Sequence, residues 1–366
     1  MKLDQPYNRR HRQRPEKPPA GEGNCRISRN AGSHAPAAPM RASVGRFLFW
    51  CLDWGLLWVL VSLLIFVAQT EATTLRVPQE YETIQEAVNA AGDGDTIRIS
   101  PGDYPENISI ESKSLVIIGS ENPEEVRIVE TEDNLPVLSV ENADSIEISG
   151  VMFFSGRGEN PLRGETYIAL FNHTKSYIHN CLFDYKYSPL FGLRTLIANS
   201  TGSIIRNNRF RNGLCGIWLF RCDNTLVAEN IFTREVPHDS LALAVPGVAV
   251  VVKKCNTLIL NNSIDGYQTG IINYPDSNNV VEIVNNVIQN CSLVALLTSG
   301  DENNWEIRYN NFWNNRFNTD LYRFDDPVGS NGNISRDSRF VDSNILDIVR
   351  VDTERRDIVG YYGRWE

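Results

Sequence analysis

The chain has 366 residues, 35 basic and 45 acidic, with 42% hydrophobic content, enough for a sizeable core. Removing the ten basic and five acidic residues before Thr73 leaves 25 basic against 40 acidic, a net charge of −15 that opposes nucleic acid or an anionic membrane as a general partner. Seven cysteines without a CxxC spacing, of which Cys25 and Cys51 precede Thr73, argue against both a disulfide framework and a zinc site.

Residues 1–46 are basic and rich in Pro, Gly and Ser, with Arg9, Arg10, Arg12, Arg14 and Lys17 clustered, so this stretch reads as a disordered tail. Residues 47–72 follow as an apolar run broken by Asp53. The uninterrupted part, Trp54 to Ala68, is shorter than a membrane span and close to a signal-peptide core, and it leads to the small-residue site Thr70-Glu71-Ala72. The expectation is export to a secreted, periplasmic or cell-surface location, with Met40, ahead of Arg41 and Arg46, as an alternative start. The alternative is a retained single-pass anchor, so that the membrane enters only through this segment.

After Thr73, the segment from Tyr81 to Val88 reads as a short amphipathic helix with Ile84, Ala87, Val88 and Ala91 on one face. Asp93-Gly94-Asp95 turns the chain into Thr96-Ile97-Arg98-Ile99, followed by Pro101-Gly102-Asp103-Tyr104. From Ile148 to Phe312 one phrase then occurs seven times: an aliphatic residue, polar positions rich in Asn, and a large apolar residue five places on. The aliphatics are Ile148, Ile178, Ile205, Val227, Ile259, Ile283 and Ile307; their partners are Phe153, Phe183, Phe210, Phe232, Ile264, Ile288 and Phe312. Asn208, Asn230, Asn262, Asn286 and Asn310 occupy the third step, preceded there by Val151 and Cys181. Neighbouring phrases are spaced 30, 27, 22, 32, 24 and 24 residues apart, and units this small must stack to bury their apolar faces. Short apolar bursts between polar turns give about three strands per unit, the rung of a parallel β-helix. The Asn column reads as scaffold, passing amide hydrogen bonds between rungs and tolerating left-handed backbone at the turn.

The order of these features resembles the pectin lyase-like superfamily: a "TIQ-A" helix (Thr83-Ile84-Gln85, Ala87), a "GD-I-I-PG-Y" strand pair, an apolar strand Leu115-Val116-Ile117-Ile118 ending on Gly119, then the rungs. The resemblance implies an all-β, right-handed parallel β-helix over residues 73–336, capped at its open end by the short helix. Residues 337–366, with Phe340-Val341-Asp342 and Asp357-Ile358-Val359-Gly360-Tyr361, resemble a shortened closing rung. Because that superfamily carries lyases, hydrolases, esterases, epimerases and binding modules on one scaffold, the resemblance transfers no mechanism. The paired aspartates of pectin methylesterases, the Gly-His-Gly of polygalacturonases and the calcium-binding aspartates of pectate lyases have no counterpart in this sequence.

Rung length varies on one side only. From phrase end to the next strand centre, Phe210 to Ile217 spans 7 residues, whereas Phe153 to Ile168 spans 15, Phe183 to Leu196 spans 13 and Phe232 to Val248 spans 16. Three insertions thus project from one edge, the place where repeat proteins tend to carry function. They hold Arg157, Glu159, Arg163 and Glu165; Asp184, Tyr185, Lys186, Tyr187 and Arg194; and Arg234, Glu235, His238 and Asp239. Rings beside cations and carboxylates suit an elongated, acidic polysaccharide, with Tyr185, Lys186, Tyr187, Arg194, Arg157 and Arg163 as binding candidates. Solvent-exposed loops of any protein carry such residues too. Val236-Pro237-His238-Asp239 partly resembles the Asp-Pro-His-Asp motif of alginate C5-epimerases, with Val236 in place of its first Asp. It makes His238, Asp239 and Arg234 the catalytic candidates, His238 as a base poised near neutral pH.

Other signals read as structural. His173 falls in a turn and His179 in a rung strand. Asp325-Asp326 lacks the spaced oxygen ligands that calcium needs, and no cofactor or metal is expected. Cys222 and Cys255 fall at one register in adjacent rungs and read as buried thiols. The sequons at Asn107, Asn172, Asn199, Asn261, Asn290 and Asn333 matter only in a secretory eukaryotic setting. A non-catalytic envelope module is the second functional reading. A third is a periplasmic metal-delivery accessory, because a copper-related β-helix family shares these rungs, although three Met and five His form no cluster.

Overall fold

A computed structural model describes residues 72–132, 135–155, 166–185, 193–234, 247–275, 279–299, 305–319 and 325–338. The tail, the apolar segment up to Glu71 and the stretch after Ser338 lie outside the described residues. Among those residues the strands form three all-parallel sheets of ten, nine and eight strands, and from Thr96–Ile99 onward the chain visits the sheets in strict rotation. The first sheet runs from Thr74–Val77 to Trp305–Arg308, the second from Gly102–Pro105 to Asn311–Trp313, and the third from Ile108–Glu111 to Val294–Thr298. The result is a right-handed parallel β-helix, as the resemblance implied, and its hand is the one that crossover connections between parallel strands adopt.

The repeated phrase marks the stacking register. On the first sheet Ile148, Ile178, Ile205, Val227, Ile259, Ile283 and Ile307 lie opposite one another in turn. On the second, Phe153, Phe183, Phe210, Phe232, Ile264, Ile288 and Phe312 do the same. All but Ile307 are buried, and together they form the core of the coil. Four of the rings stack as one column, Phe153 to Phe183 at 5.2 Å between centroids, then 4.8 Å to Phe210 and 4.8 Å to Phe232. Stacked rings of this kind contribute beyond the area they bury.

Both columns continue below the phrase, through Ile97 and Ile117 on the first sheet and Tyr104 and Ile128 on the second. The phrase misses these two rungs because their aliphatic and apolar positions are seven and eleven residues apart instead of five. In the second of them a 3-10 turn at Pro123–Glu125 takes up the extra length.

The Asn column is a continuous amide ladder. Each side-chain Nδ2 donates to the next Oδ1, from Asn208 to Asn230 (3.1 Å), then Asn262 (3.0 Å), Asn286 (3.0 Å), Asn310 (3.0 Å) and finally Asn333 (3.1 Å). Cys181 ends it, donating its backbone N–H to Asn208 Oδ1 at 2.9 Å while its thiol faces the Ile148 carbonyl at 3.6 Å. The left-handed residue at each turn is the one before the ladder amide: Asn207, Glu229, Asn261, Asn285 and Tyr309, with φ of 54°, 56°, 57°, 56° and 59°. Left-handed backbone therefore belongs to the preceding position, and the ladder amides serve only the hydrogen bonds.

The helix spans Ile84–Ala90. Thr83 and Glu86 form a capping box, with Thr83 Oγ1 accepting from the Glu86 N–H at 3.1 Å. The Glu106 carboxylate of the first rung accepts from the N–H groups of Ile84 and Gln85, both at 2.9 Å, which ties the cap to the coil. Ile84, Ala87, Val88 and Ala91 are the buried face, as their spacing predicts.

Candidate functional site

The three insertions share one corner. Residues 156–165 connect Met152–Ser155 to Thr166–Asn172, residues 186–192 connect Leu182–Tyr185 to Leu193–Ala198, and residues 235–246 follow Ile231–Thr233 and precede Val248–Lys253. Each leaves the second sheet and enters the third. The intervening rung crosses there by Asn212, Gly213 and Leu214 alone.

Beside this corner, the outer face of the second sheet presents a register column. Phe154, Asp184, Arg211, Thr233, Asp265, Gln289 and Trp313 lie opposite one another on successive strands. Arg211 bridges Asp184 at 2.8 Å and reaches Glu124 at 3.4 Å, with side-chain exposures of 31% for Arg211 and 16% for Asp184. Burial pushes the Asp184 carboxyl above its ordinary range, and the Arg211 guanidinium works against that rise. Burial raises Asp265 likewise, opposed by hydrogen bonds that include one from Asn290 Nδ2 at 2.6 Å. Farther along the same face, Arg127 pairs with Asp103 at 3.2 Å and lies 5.4 Å from the Phe154 ring centre. The face thus offers cations, partly desolvated carboxylates and rings in a line.

Under the corner lies a polar interior. Tyr185 is 2% exposed, with its hydroxyl 3.5 Å from Thr195 Oγ1. Its ring occupies space left by Gly213, where a Cβ would come within 2.9 Å of it. Arg234 is 7% exposed, its guanidinium lies where a Cβ on Gly247 would be, and its charge acts on the buried Tyr267 hydroxyl. In the preceding rungs of this corner Ser155 donates to Glu130, both buried. Tyr185 and Arg234, expected in a solvent-facing groove, instead point inward. An aromatic at a strand end can face either way, and alternation places both side chains inside.

Of the other candidates, the Arg194 backbone lies opposite Tyr167 at the start of its strand. Arg157, Arg163, Lys186, Tyr187, His238 and Asp239 lie outside the described residues. His179 bonds Glu147 at 3.2 Å and stacks on Tyr177 at 4.3 Å, a satisfied position on the first sheet, and His173 occupies a left-handed turn at φ 51°. Asp326 accepts from Asn318 Nδ2 at 3.0 Å and the Val328 N–H at 3.0 Å, which is turn chemistry.

Sequence reasoning missed Arg211, Asp265, Gln289 and Trp313. A signal existed: each stands one place after the large apolar residue of the phrase, where strand alternation turns the side chain outward.

Among the described residues no three His, Cys, Asp or Glu gather to hold a metal ion. The described cysteines are buried; desolvation pushes the Cys181 thiol up to about 12 and raises Cys291 too. No helix of the described residues is long and apolar enough to cross a membrane.

Residues 145–326, just under half of the chain, match the family described as "NosD: Periplasmic copper-binding protein (NosD)". No curated protein matches the sequence. Among solved structures, an alginate lyase from Paenibacillus sp. str. FPU-7 is 13% identical with a TM-score of 0.44, covering 72% of this chain and 98% of that one. Pectin methylesterase PemA from Erwinia chrysanthemi is 11% identical with a TM-score of 0.42, covering 74% and 94%. Pectin methylesterase from carrot is 12% identical with a TM-score of 0.38, covering 74% and 89%.

Proposed function

We propose that this chain is an exported β-helix protein that engages an acidic polysaccharide along the outer face of the second sheet, beside the corner that carries the three insertions. The observation that carries this reading is the column from Phe154 to Trp313. It repeats at one side chain per rung, about every 4.8 Å, broken only where Gln289 is buried, and so suits a ligand with repeating units. Arg127 and Arg211 supply charge for carboxylates, and Phe154 and Trp313 supply faces for sugar rings.

The pair Asp184 and Asp265 does not have the spacing of glycosidase carboxylates. Asp184 and Asp265 are separated by three register steps, hence ~14 Å at the spacing of adjacent strands, whereas paired glycosidase carboxylates stand roughly 5–9.5 Å apart. Lyase or epimerase chemistry would rest on His238 as base, with Asp239 next to it in sequence. The pairing of a His with a carboxylate at the head of the third insertion supports that second reading.

The matched family's description agrees with export to the periplasm. Its copper does not fit the residues described: their thiols are buried in the coil, and Met152, the one methionine among them, is buried as well.

A thermal-shift series of the full chain against oligouronates and neutral oligosaccharides tests the proposal, since a ligand that prefers the folded state raises the melting point. A rise with oligouronates supports it. No rise with any glycan leaves a structural or protein-binding solenoid. Product analysis with the His238→Ala chain then separates chemistry from binding, because activity unchanged by that substitution removes His238 from the mechanism.

A further inference from the structure

Two cysteines stand in register at one turn of adjacent rungs. Cys222 follows the strand Cys215–Phe220 and Cys255 follows Val248–Lys253, and these strands pair with Phe220 opposite Lys253. Neighbouring rungs are about 4.8 Å apart, within the roughly 4.4–6.8 Å between Cα atoms that a disulfide spans. The Cys222 N–H donates to Cys255 Sγ at 3.1 Å, the Asn256 N–H to the Cys222 carbonyl at 3.2 Å, and Asn256 Nδ2 to Asp223 Oδ1 at 2.6 Å. The two turns are thereby held in alignment, and both residues are thiols in this structure.

We propose that Cys222 and Cys255 are an oxidation site, joined as a disulfide between rungs when the chain meets a disulfide oxidant. The ring so closed contains the longest of the three insertions, residues 235–246. A cross-link across so long a ring stabilises the fold by restricting the unfolded chain.

The exchange balances without any group from the protein's interior. The Cys222 thiolate attacks one sulfur of a small-molecule disulfide such as oxidised glutathione and displaces the other as a thiolate. The Cys255 thiolate then attacks Cys222 Sγ in the mixed disulfide and expels the second thiolate. Two protein thiols are oxidised, one oxidant disulfide is reduced, and the two protons leave on the two small thiols. The same exchange can run with the two cysteines interchanged. Both are buried in the folded chain, so the exchange belongs to folding, before the rung seals.

The test is to refold the full chain with oxidised glutathione, block remaining thiols with N-ethylmaleimide in denaturant, and digest without reduction. The expected result is a peptide joining Cys222 to Cys255, two hydrogens lighter than the reduced pair, with Cys181, Cys215 and Cys291 alkylated. The oxidised chain should melt several degrees above the reduced one. Cys222→Ser should abolish that difference while preserving the fold, because Ser200 occupies the equivalent position one rung earlier. Alkylation of both Cys222 and Cys255, a bond from either of them to any other cysteine, or equal melting of the two forms would overturn the proposal. The oxidant is supplied in solution, so the outcome is independent of where the chain resides and of its ligand.

Discussion

Asn230 gives two hydrogen bonds to the single Oδ1 atom of Asn262, one from its side chain at 3.0 Å and one from its backbone N–H at 3.0 Å. Asn262 in turn donates to the Val227 carbonyl at 2.9 Å, one rung below, and to Asn286. Neither residue is exposed to solvent. One amide therefore joins successive turns of the coil.

Asn262→Ala should cost at least about 3 kcal/mol, because it strands several buried groups at roughly 1–3 kcal/mol each. Denaturant unfolding reads the loss. A cost under about 1 kcal/mol would mean that water replaces the ladder.

The ring column is the apolar counterpart. Phe210 stacks between Phe183 and Phe232 and is fully buried. Phe210→Ala should destabilise by about 3–5 kcal/mol, and Phe210→Leu by clearly less, since Leu refills most of the volume. Equal losses for the two would show that stacking geometry outweighs volume.

The fold was largely legible, and the reason lies in particular residues. Strand alternation and a fixed step of five from Ile178 to Phe183 or from Val227 to Phe232 survive into three dimensions as register, so one phrase gives the stacking. Ile97 and Ile117 escaped because a longer turn changes that step while the columns still close. The site was less legible. The corner follows from insertion lengths, but the direction of a side chain at a strand end depends on the parity of the strand and on the space a glycine leaves. Parity turned Tyr185 inward while Arg211, unremarkable in sequence, turned out.

The glycine effect is testable at Gly247. A methyl there overlaps the Arg234 guanidinium, so Gly247→Ala should destabilise the chain. Combined with Arg234→Ala, the loss should be smaller than the sum of the single losses, since contacting residues couple by about 0.5–3 kcal/mol. Strict additivity in a double-mutant cycle would place the guanidinium elsewhere.

A partly buried carboxylate sets a pH dependence. Burial raises Asp265 in the folded chain, so the folded state holds its proton to higher pH than the unfolded state does. The resulting penalty is absent below the unfolded carboxyl range near 3.8 and fully present above the raised folded value. Asp265→Asn, which keeps an acceptor for Asn290, should raise the melting point at neutral pH, with the gain fading as the pH falls through that range. A gain that persists at pH ~3, below the ordinary carboxyl pKa, would contradict this assignment.

The outer face of the second sheet as a binding surface is tested most directly by calorimetric titration of an oligouronate into the full chain and its Arg211→Ala variant. Saturable binding that weakens at least about tenfold in the variant, a loss of roughly 1.4 kcal/mol, at a temperature where the variant is still folded, is the expected result. Equal affinity for both chains, or no heat with either, would contradict the account.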